Sequence, residues 1–406
     1  MRILFVSQLF DPENSIKGLE FARRLQALGH EVEVVTTFPS YPGGKVFDGY
    51  KLRWRQIENL DGVRVVRLPT FISHGRSAVK RMLSYASFGA VSAFYALFVA
   101  RKPDVIYAYY PPVIVGLTAA LVRTFRRTPF VYDVQDLWPE ALVATGMLRE
   151  GRVTRVIDRL CGLIYRKASR TVVLSDGYRR ALESKRVPSQ KIVRIFNWCD
   201  EGRTNPERGA TEGIFDASRF NVLYAGNLGA AQALTHVIDA ARIVQEHGDT
   251  KIRFTFLGAG VEADKLKRMT AELGLNNVAF LPQVPVDRVS GILAAADVLL
   301  VHLADAEVFE ITIPSKTQAY MMVGRPILMA VRGEAARIVK DADAGLVVEP
   351  CQPEQLAQAA LRMSGLPPEQ LADMGRRGRE YYVAKMSMEN GVKQVDSVLK
   401  DIVERV

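Results

Sequence analysis

The chain is poor in cysteine, histidine and tryptophan: 406 residues include three, five and three of them. Cys161, Cys199 and Cys351 are odd in number and far apart. They form no disulfide framework and have no metal-ligand spacing. No Gly/Pro/Ser-rich linker, low-complexity tract or short repeat is present, which removes the disordered and solenoid classes. The opening MRILFVSQLF lacks a charged leader region, a full apolar core and a small-residue cleavage site. It reads as a first strand and not as a secretory signal, and the expected compartment is the cytoplasm.

Acidic side chains are scarce in the first half. Residues 1–200 hold 31 Lys+Arg against 17 Asp+Glu, and the remainder holds 23 against 27, within a net charge of +10. A basic half suits an anionic partner: nucleic acid, a phosphorylated substrate, or the negative inner leaflet of a membrane. On that leaflet each nearby Lys or Arg contributes about 1 kcal/mol. Solvated surface charge is the plain alternative. No nucleic-acid motif is present, and the aromatics sit in strands instead of alternating with Lys and Arg. Nucleic acid is therefore not an expected partner.

What is present is a soluble, globular composition, 48% apolar and 24% charged, long enough for two or three domains. Apolar runs alternate with helical patterns. Strands are expected at 2–7, 31–36, 63–68, 104–109, 129–134, 171–175 and 191–196. The helices between them fall at 17–28, 77–100, 112–124, 152–168 and 176–185. Continuous runs such as RILFVS and VIYAYY suit strands buried on both faces of a parallel sheet. The polar segment 197–219 breaks the pattern and reads as an interdomain connection. The alternation restarts at NVLYAG, 221–226, and ends with helical stretches near 367–384 and 387–404. From Met82 to Ala100 there are 19 uncharged residues between Lys80–Arg81 and Arg101–Lys102. A core helix, a helix lying in a membrane interface and a spanning helix all fit this run.

Two segments have the chemistry of a phosphate-and-sugar site. GNLG, 226–229, follows the first strand of the second half. Glycines at such a turn let backbone N–H groups approach a phosphate, and a helix start adds partial positive charge. A tight turn is the bland alternative. LGAG, 257–260, repeats the placement, and Gly258 and Gly260 would let a base or ribose lie against the backbone. The second segment is EVFEITIPSKTQAYMMVGRPIL, 307–328. Glu310 follows a strand, Pro314 opens a helix, and Ser315 and Lys316 stand at its N-terminus. Gln318 lies eight positions after Glu310. The segment thus offers anion-binding amides, a cation and hydrogen-bonding side chains. DADAG, 341–345, contains Asp-x-Asp, but between a helix and a strand, and reads as a loop.

Segment 307–328 resembles the Glu-x7-Glu signature of retaining GT-B glycosyltransferases of family 4. In that family the first Glu faces the donor sugar and the second holds the nucleotide ribose. The matching positions are Glu310 and Gln318, a neutral departure. The family's usual basic pair after the first strand of domain two is replaced by uncharged Asn227 and Gln232. Lys316 is then the expected diphosphate cation. ENSIKGLEFARRLQALGHEVEVVT, 13–36, is similar to the family's opening, with Lys17–Gly18 in place of two glycines. Gly18 would keep the close backbone approach, and Lys17 would add a charge for phosphate. FVYDVQDLWPEALVATGML (130–148), IFNWCDE (195–201) and GNLGAAQAL (226–234) resemble a branch that builds bacterial surface polysaccharides. Its members transfer amino-deoxy sugars, such as N-acetylfucosamine, from a UDP donor to a lipid-linked acceptor. Where many family members carry a His facing the sugar's 6-hydroxyl, this chain reads Val134–Gln135–Asp136. That departure implies a 6-deoxy donor.

The resemblance implies an α/β, GT-B fold: two Rossmann-like, doubly wound parallel-sheet domains facing a cleft. Residues 1–198 would form the acceptor domain, 199–387 the nucleotide-sugar domain, and 388–406 would return to the first. Glu310, Lys316 and Asp136 are the implied catalytic residues. Gly18, Gly226, Asn227, Leu228, Gly229, Gln232, Gly258, Gly260, Val284, Ile311, Pro314, Ser315 and Gln318 would hold the donor. Lys17, Gln135, Trp138 and Tyr109 would meet sugar or acceptor. The implied reaction retains the anomeric configuration and needs neither cofactor nor metal. The acceptor would be a saccharide on undecaprenyl diphosphate, met at the cytoplasmic face of the inner membrane in O-antigen, capsule or glycan synthesis. A soluble acceptor, an epimerase of the same architecture and a non-catalytic nucleotide-sugar binder are the alternatives.

Overall fold

Strands rich in Val, Ile, Phe and Tyr with no polar alternation bury both faces, and here they assemble two mostly parallel sheets. The computed structural model describes residues 1–41, 43–72, 78–144, 147–204 and 214–405. The chain divides into Met1–Phe196 with Gly391–Val406, and Asn197–Asn390.

The first unit holds β1 (Arg2–Ser7), β2 (Glu31–Thr37), β3 (Gln56–Leu60), β4 (Val63–Leu68), β5 (Val105–Tyr110), β6 (Phe130–Val134), β7 (Arg170–Val173) and β8 (Ile192–Arg194). Their order is β3-β4-β2-β1-β5-β6-β7-β8. β1 pairs in parallel with β2 (Ile3 beside Val32) and with β5 (Ile3 beside Val105). The strand order reverses there, so the carboxyl ends of β1 and β5 form the switch point where such sheets bind ligands. β3 has no counterpart in the expected elements. It is an antiparallel edge strand joined to β4 through Asp61 and Gly62, both at positive φ as a two-residue hairpin requires. The helices are α1 (Leu19–Ala27), α2 (Ala78–Phe94), α3 (Pro112–Arg126), α4 (Glu140–Ala144), α5 (Arg152–Lys167) and α6 (Asp176–Ser184).

The uncharged run does not continue as one regular helix to Ala100. After Phe94 the turn Tyr95–Val99 widens and closes with a bond from the Ala100 N–H to the Tyr95 carbonyl, 2.8 Å. Lys80–Val99 is long and apolar enough to cross a membrane, yet only 28% of its most apolar window is buried. A helix enclosed by the core is therefore ruled out for this run.

The second unit holds β9 (Phe220–Ala225), β10 (Ile252–Leu257), β11 (Val278–Leu281), β12 (Val298–His302), β13 (Ile327–Ala330) and β14 (Gly345–Val348). Their order is β11-β10-β9-β12-β13-β14, which puts the switch point between β9 and β12. The helices are α7 (Thr235–Glu246), α8 (Ala263–Glu272), α9 (Val286–Ala295), α10 (Glu307–Glu310), α11 (Ser315–Val323), α12 (Glu334–Asp341), α13 (Pro353–Ser364) and α14 (Pro368–Tyr381). Val222, Tyr224, Phe254, Phe256, Leu300 and Leu328 form its core with Val237, Ala241, Leu356 and Ala360 of α7 and α13. The last helix, α15 (Met388–Glu404), belongs from Gly391 onward to the first unit. There His30 Nε2 lies 2.6 Å from Asp396 Oδ1, and Arg170 pairs with Asp401.

Candidate functional site

In the second unit the expected donor residues gather at the carboxyl ends of β9, β10 and β12. Pro314 sets the extended entry to α11, so Ser315 and Lys316 begin that helix, where the first amides have no partner within it. The Lys316 ammonium lies 3.6 Å from the centroid of the Tyr224 ring. A Cβ built on Gly226 would stand 3.3 Å from Lys316 Nζ, so glycine leaves the room that the ammonium fills. Nζ is buried and has no hydrogen-bond partner. Burial pulls its pKa from 10.5 to about 7. A desolvated, unpaired cation at a helix start is an arrangement that an anion would stabilise twice, through charge and through the helix dipole. Among the described residues no group of three or more His, Cys, Asp or Glu is gathered as a metal site.

The GNLG turn acts otherwise than its sequence suggests. The Gly226 N–H donates to Leu257 O at 2.9 Å, the Leu228 N–H to Ala259 O at 2.9 Å, and the Gly229 N–H to Gln232 Oε1 at 3.2 Å. Three of its four amides are thus engaged inside the protein, and Leu228 is a core residue. No long helix follows directly, only the single turn Ala230–Gln232, with α7 starting at Thr235. The cradle of GNLG amides is corrected: the cation and the start of α11 are the groups left for an anion. Gly258 and Gly260 are corrected as well. A side chain on Gly258 would strike the Gly226 carbonyl, and one on Gly260 the Leu228 carbonyl. Backbone, not a base or ribose, fills that space.

Glu310 ends the short helix α10 instead of standing in an open turn, and its side chain is exposed. Its carbonyl packs on Gly333, whose φ of +79° and missing side chain permit the contact. Gly333 follows Arg332, which donates to Asp305 at 2.7 and 2.9 Å and pairs with Glu349. Ile311 and Val284 are half-buried at the ends of α10 and β11. Gln318 is buried in α11, and its amide nitrogen donates back to the Pro314 and Ser315 carbonyls at 2.8 and 3.1 Å. That fold-back takes its N–H groups away from a ribose. Asn227 is exposed, and Gln232 braces the turn from below.

Two residues here were not singled out from sequence. Tyr224 donates its hydroxyl to Asn227 O at 2.8 Å and shields Lys316 with its ring. His302, at the end of β12, pairs its Nδ1 with Gln232 O at 2.7 Å. Burial lowers its pKa to about 4, so it stays neutral and donates that bond. Only the strand-end position of His302 hinted at a role.

In the first unit, Lys17, Tyr107, Tyr109, Asp133 and Gln135 converge at the β1/β5/β6 ends. Lys17 Nζ lies 2.6 Å from Asp133 Oδ2, with both side chains fully buried. The Tyr107 hydroxyl donates to the same oxygen at 2.5 Å, and Gln135 Nε2 to Oδ1 at 2.6 Å. Lys17 is corrected from a phosphate contact to the internal partner of Asp133. Tyr109 is buried and carries Lys17 over its ring, 5.2 Å from the centroid. Gly18 faces the Asp11 carboxylate, which accepts the Leu19 N–H at 2.6 Å, so an internal anion occupies the start of α1. Trp138 is corrected too: it is buried, tilted against Tyr85 at 6.0 Å. Asp136 remains half-buried, and burial alone raises its carboxyl above the ordinary range.

Two family profiles match the chain. One, described as a glycosyl transferase 4-like domain, spans residues 19–198; the other, described as glycosyl transferases group 1, spans 212–381. The chain is 27% identical over 343 residues to WcaI of Escherichia coli (strain K12), described as a colanic acid biosynthesis glycosyl transferase. That match covers 80% of this chain and 82% of WcaI. It is 27% identical over 266 residues to the glycosyltransferase WbjE of Pseudomonas aeruginosa, 64% of this chain and 66% of that one. Among solved structures, Anabaena HepE in complex with UDP-glucose superposes with a TM-score of 0.70 at 17% identity, over 99% of this chain and 100% of that one. WaaG, a glycosyltransferase involved in lipopolysaccharide biosynthesis, superposes with 0.64 at 17% identity, over 98% and 99%. Those two likenesses speak for the fold. With both profiles falling on successive units of one chain, the protein is a GT-B glycosyltransferase, a glycosyl transferase 4-like domain followed by a group 1 domain.

Proposed function

We propose that the enzyme moves an amino-deoxy sugar from a UDP-sugar to a lipid-linked saccharide during bacterial surface-polysaccharide synthesis, with retention and without a metal. The observation that carries the donor reading is the buried, unpaired Lys316 ammonium at the start of α11. The diphosphate would supply its missing partner. WcaI is described by a role in colanic acid biosynthesis and WaaG by one in lipopolysaccharide biosynthesis, and HepE is described with UDP-glucose bound. These descriptions support a polysaccharide context and a UDP donor. The excess of basic residues in the first 200 supports work at the anionic cytoplasmic face of the inner membrane.

The chemistry proposed is a same-face displacement. The acceptor oxygen bonds to the anomeric carbon as the bond from that carbon to the phosphate oxygen breaks. The acceptor's proton passes to the leaving diphosphate. Lys316 and the opening amides of α11 stabilise the charge that develops there, and Glu310 orients the donor sugar. Asp136 is assigned to the acceptor side as a half-buried group that accepts a hydrogen bond from the acceptor and does not take its proton. The Val134–Gln135–Asp136 turn offers no imidazole to a 6-hydroxyl, so the donor is assigned as 6-deoxy.

Transfer of radiolabelled sugar from UDP-sugars to lipid extracts tests this. Glu310→Ala is expected to lower turnover at least a hundredfold while UDP still binds. Undiminished turnover in that variant would overturn the donor-site assignment. UDP-N-acetylglucosamine reacting faster than its 6-deoxy counterpart would overturn the choice of sugar.

A further inference from the structure

On the surface of a soluble domain, an α-helix buries apolar residues and exposes polar ones. α2 and the wide turn after it bury two serines along with apolar residues and leave large apolar side chains in water. The buried stripe contains Ser84, Phe88, Ser92, Tyr95 and Ala96, and both serines are satisfied inside: Gln8 donates to Ser84 at 3.2 Å, and Ser92 lies 3.2 Å from Thr118. The exposed stripe is Leu83, Ala86, Ala90, Phe94 and Phe98, without a polar atom in its side chains. The widened last turn keeps Tyr95 and Ala96 inside while Phe98 and Val99 stand outside.

The apolar surface continues beyond this helix. Trp54 lies 6.4 Å from Phe94, and Phe94 lies 5.3 Å from Phe98, as ring centroids. Arg126 donates to the Ala96 and Ala100 carbonyls at 2.6 and 2.9 Å, which fastens the end of α3 beside the same turn. Its neighbours Phe125 and Leu121 are exposed. Trp54, Phe98 and Phe125 are 73%, 74% and 71% exposed, so three large rings stand almost wholly in water. The linked rings of Trp54, Phe94 and Phe98 make a patch of the kind that marks an interaction surface. Its borders are basic: Lys51, Arg53 and Arg55 flank Trp54, Arg101 and Lys102 follow Val99, and Arg127 follows Arg126, all but Arg126 exposed.

We infer that this face inserts into an anionic lipid bilayer, with Trp54, Phe94, Phe98 and Phe125 entering the acyl boundary and the basic border on the headgroups. Apolar rings ringed by cations match the layered chemistry of such a membrane, whereas a protein partner would have to present a flat apolar patch edged by acids. The inference extends the lipid-linked acceptor reading and adds that attachment is by insertion, not by charge alone.

Tryptophan fluorescence tests it on the whole chain, because Trp138 and Trp198 are buried and Trp54 is not. Vesicles of phosphatidylcholine mixed with phosphatidylglycerol should shift the emission to the blue, and brominated acyl chains should quench it. Phosphatidylcholine alone should bind less well, and high salt should weaken attachment to the mixed vesicles without abolishing it. Phe98→Ser with Phe125→Ser should weaken attachment roughly tenfold per ring, with the melting temperature and the response to UDP unchanged. Arg101→Glu with Lys102→Glu should reduce the salt-sensitive part, since Lys51, Arg53, Arg55 and Arg127 remain. An unmoved Trp54 emission, or a double-serine variant that binds as tightly as the native chain, would overturn the proposal. So would a dimer that the double-serine variant dissolves, with no response to vesicles: the face would then belong to a second copy. Attachment without transfer to any lipid-linked saccharide would keep this surface and overturn the acceptor assignment instead.

Discussion

Lys316 is the residue on which the proposed donor site turns. Its ammonium is desolvated against Tyr224 and Gly226, and its pKa falls to about 7. In the unfolded chain it returns to 10.5. Between those values the unfolded chain holds a proton that the folded chain lacks, so folding stability rises with pH from about 7 to about 10.5. Below pH 7 the burial penalty applies in full. A bound diphosphate reverses the preference by stabilising the charged form, so binding takes up a proton above pH 7. UDP affinity should therefore fall by up to roughly tenfold per pH unit between about 7.5 and 9.5. Isothermal titration across that range checks it, and Lys316→Met should flatten the profile. The same variant should raise the melting temperature of the ligand-free protein by a few degrees, since it removes an unpaired buried charge. A group that lowers stability until its ligand arrives is expected at a functional site.

At the scale of elements, the turns that follow β9, β10 and β13 are held by close approaches of backbone to backbone. Gly258 combines a φ of +144° with a neighbour, the Gly226 carbonyl, that leaves no room for a Cβ. Gly258→Ala should cost about 3 kcal/mol or more and abolish the response to UDP, because the displaced segment is the one beside Lys316. Gly248, at φ +78° but facing open space, is the control, and alanine there should cost about 1 kcal/mol. Chemical denaturation of both variants measures the difference.

The strands of both sheets were legible because their apolar runs are continuous, and α11 because Pro314 marks its start. β3 was not: QIENL has little strand character alone, and it forms by pairing with β4 across the Asp61–Gly62 turn. The place of Lys316 at the start of α11 was legible because one segment contains Pro314, Ser315 and Lys316. The site was not legible where distant segments meet. Lys17 looked like a free cation because Asp133, its partner at 2.6 Å, lies 116 residues away. The GNLG amides looked available because the Ala259 and Leu257 carbonyls that occupy two of them belong to another strand's turn. Gly333 gave no signal, since its contact is with the Glu310 carbonyl.

For the whole molecule, two α/β units divide the chemistry by charge. The basic excess falls in residues 1–200, with the exposed apolar face, and the slightly acidic remainder holds Lys316 and Glu310. That division suits the proposed lipid-borne acceptor at one unit and the proposed nucleotide-sugar donor at the other. The proposed donor reading requires that Lys316 take a diphosphate as its partner. Thermal unfolding of the native chain and of Lys316→Met, each with and without UDP, tests it most directly. At about 100 times its dissociation constant UDP should add roughly 2.7 kcal/mol, a rise of about 5 °C or more in the native chain and little or none in the variant. No rise in the native chain, or an equal rise in both, would contradict the account.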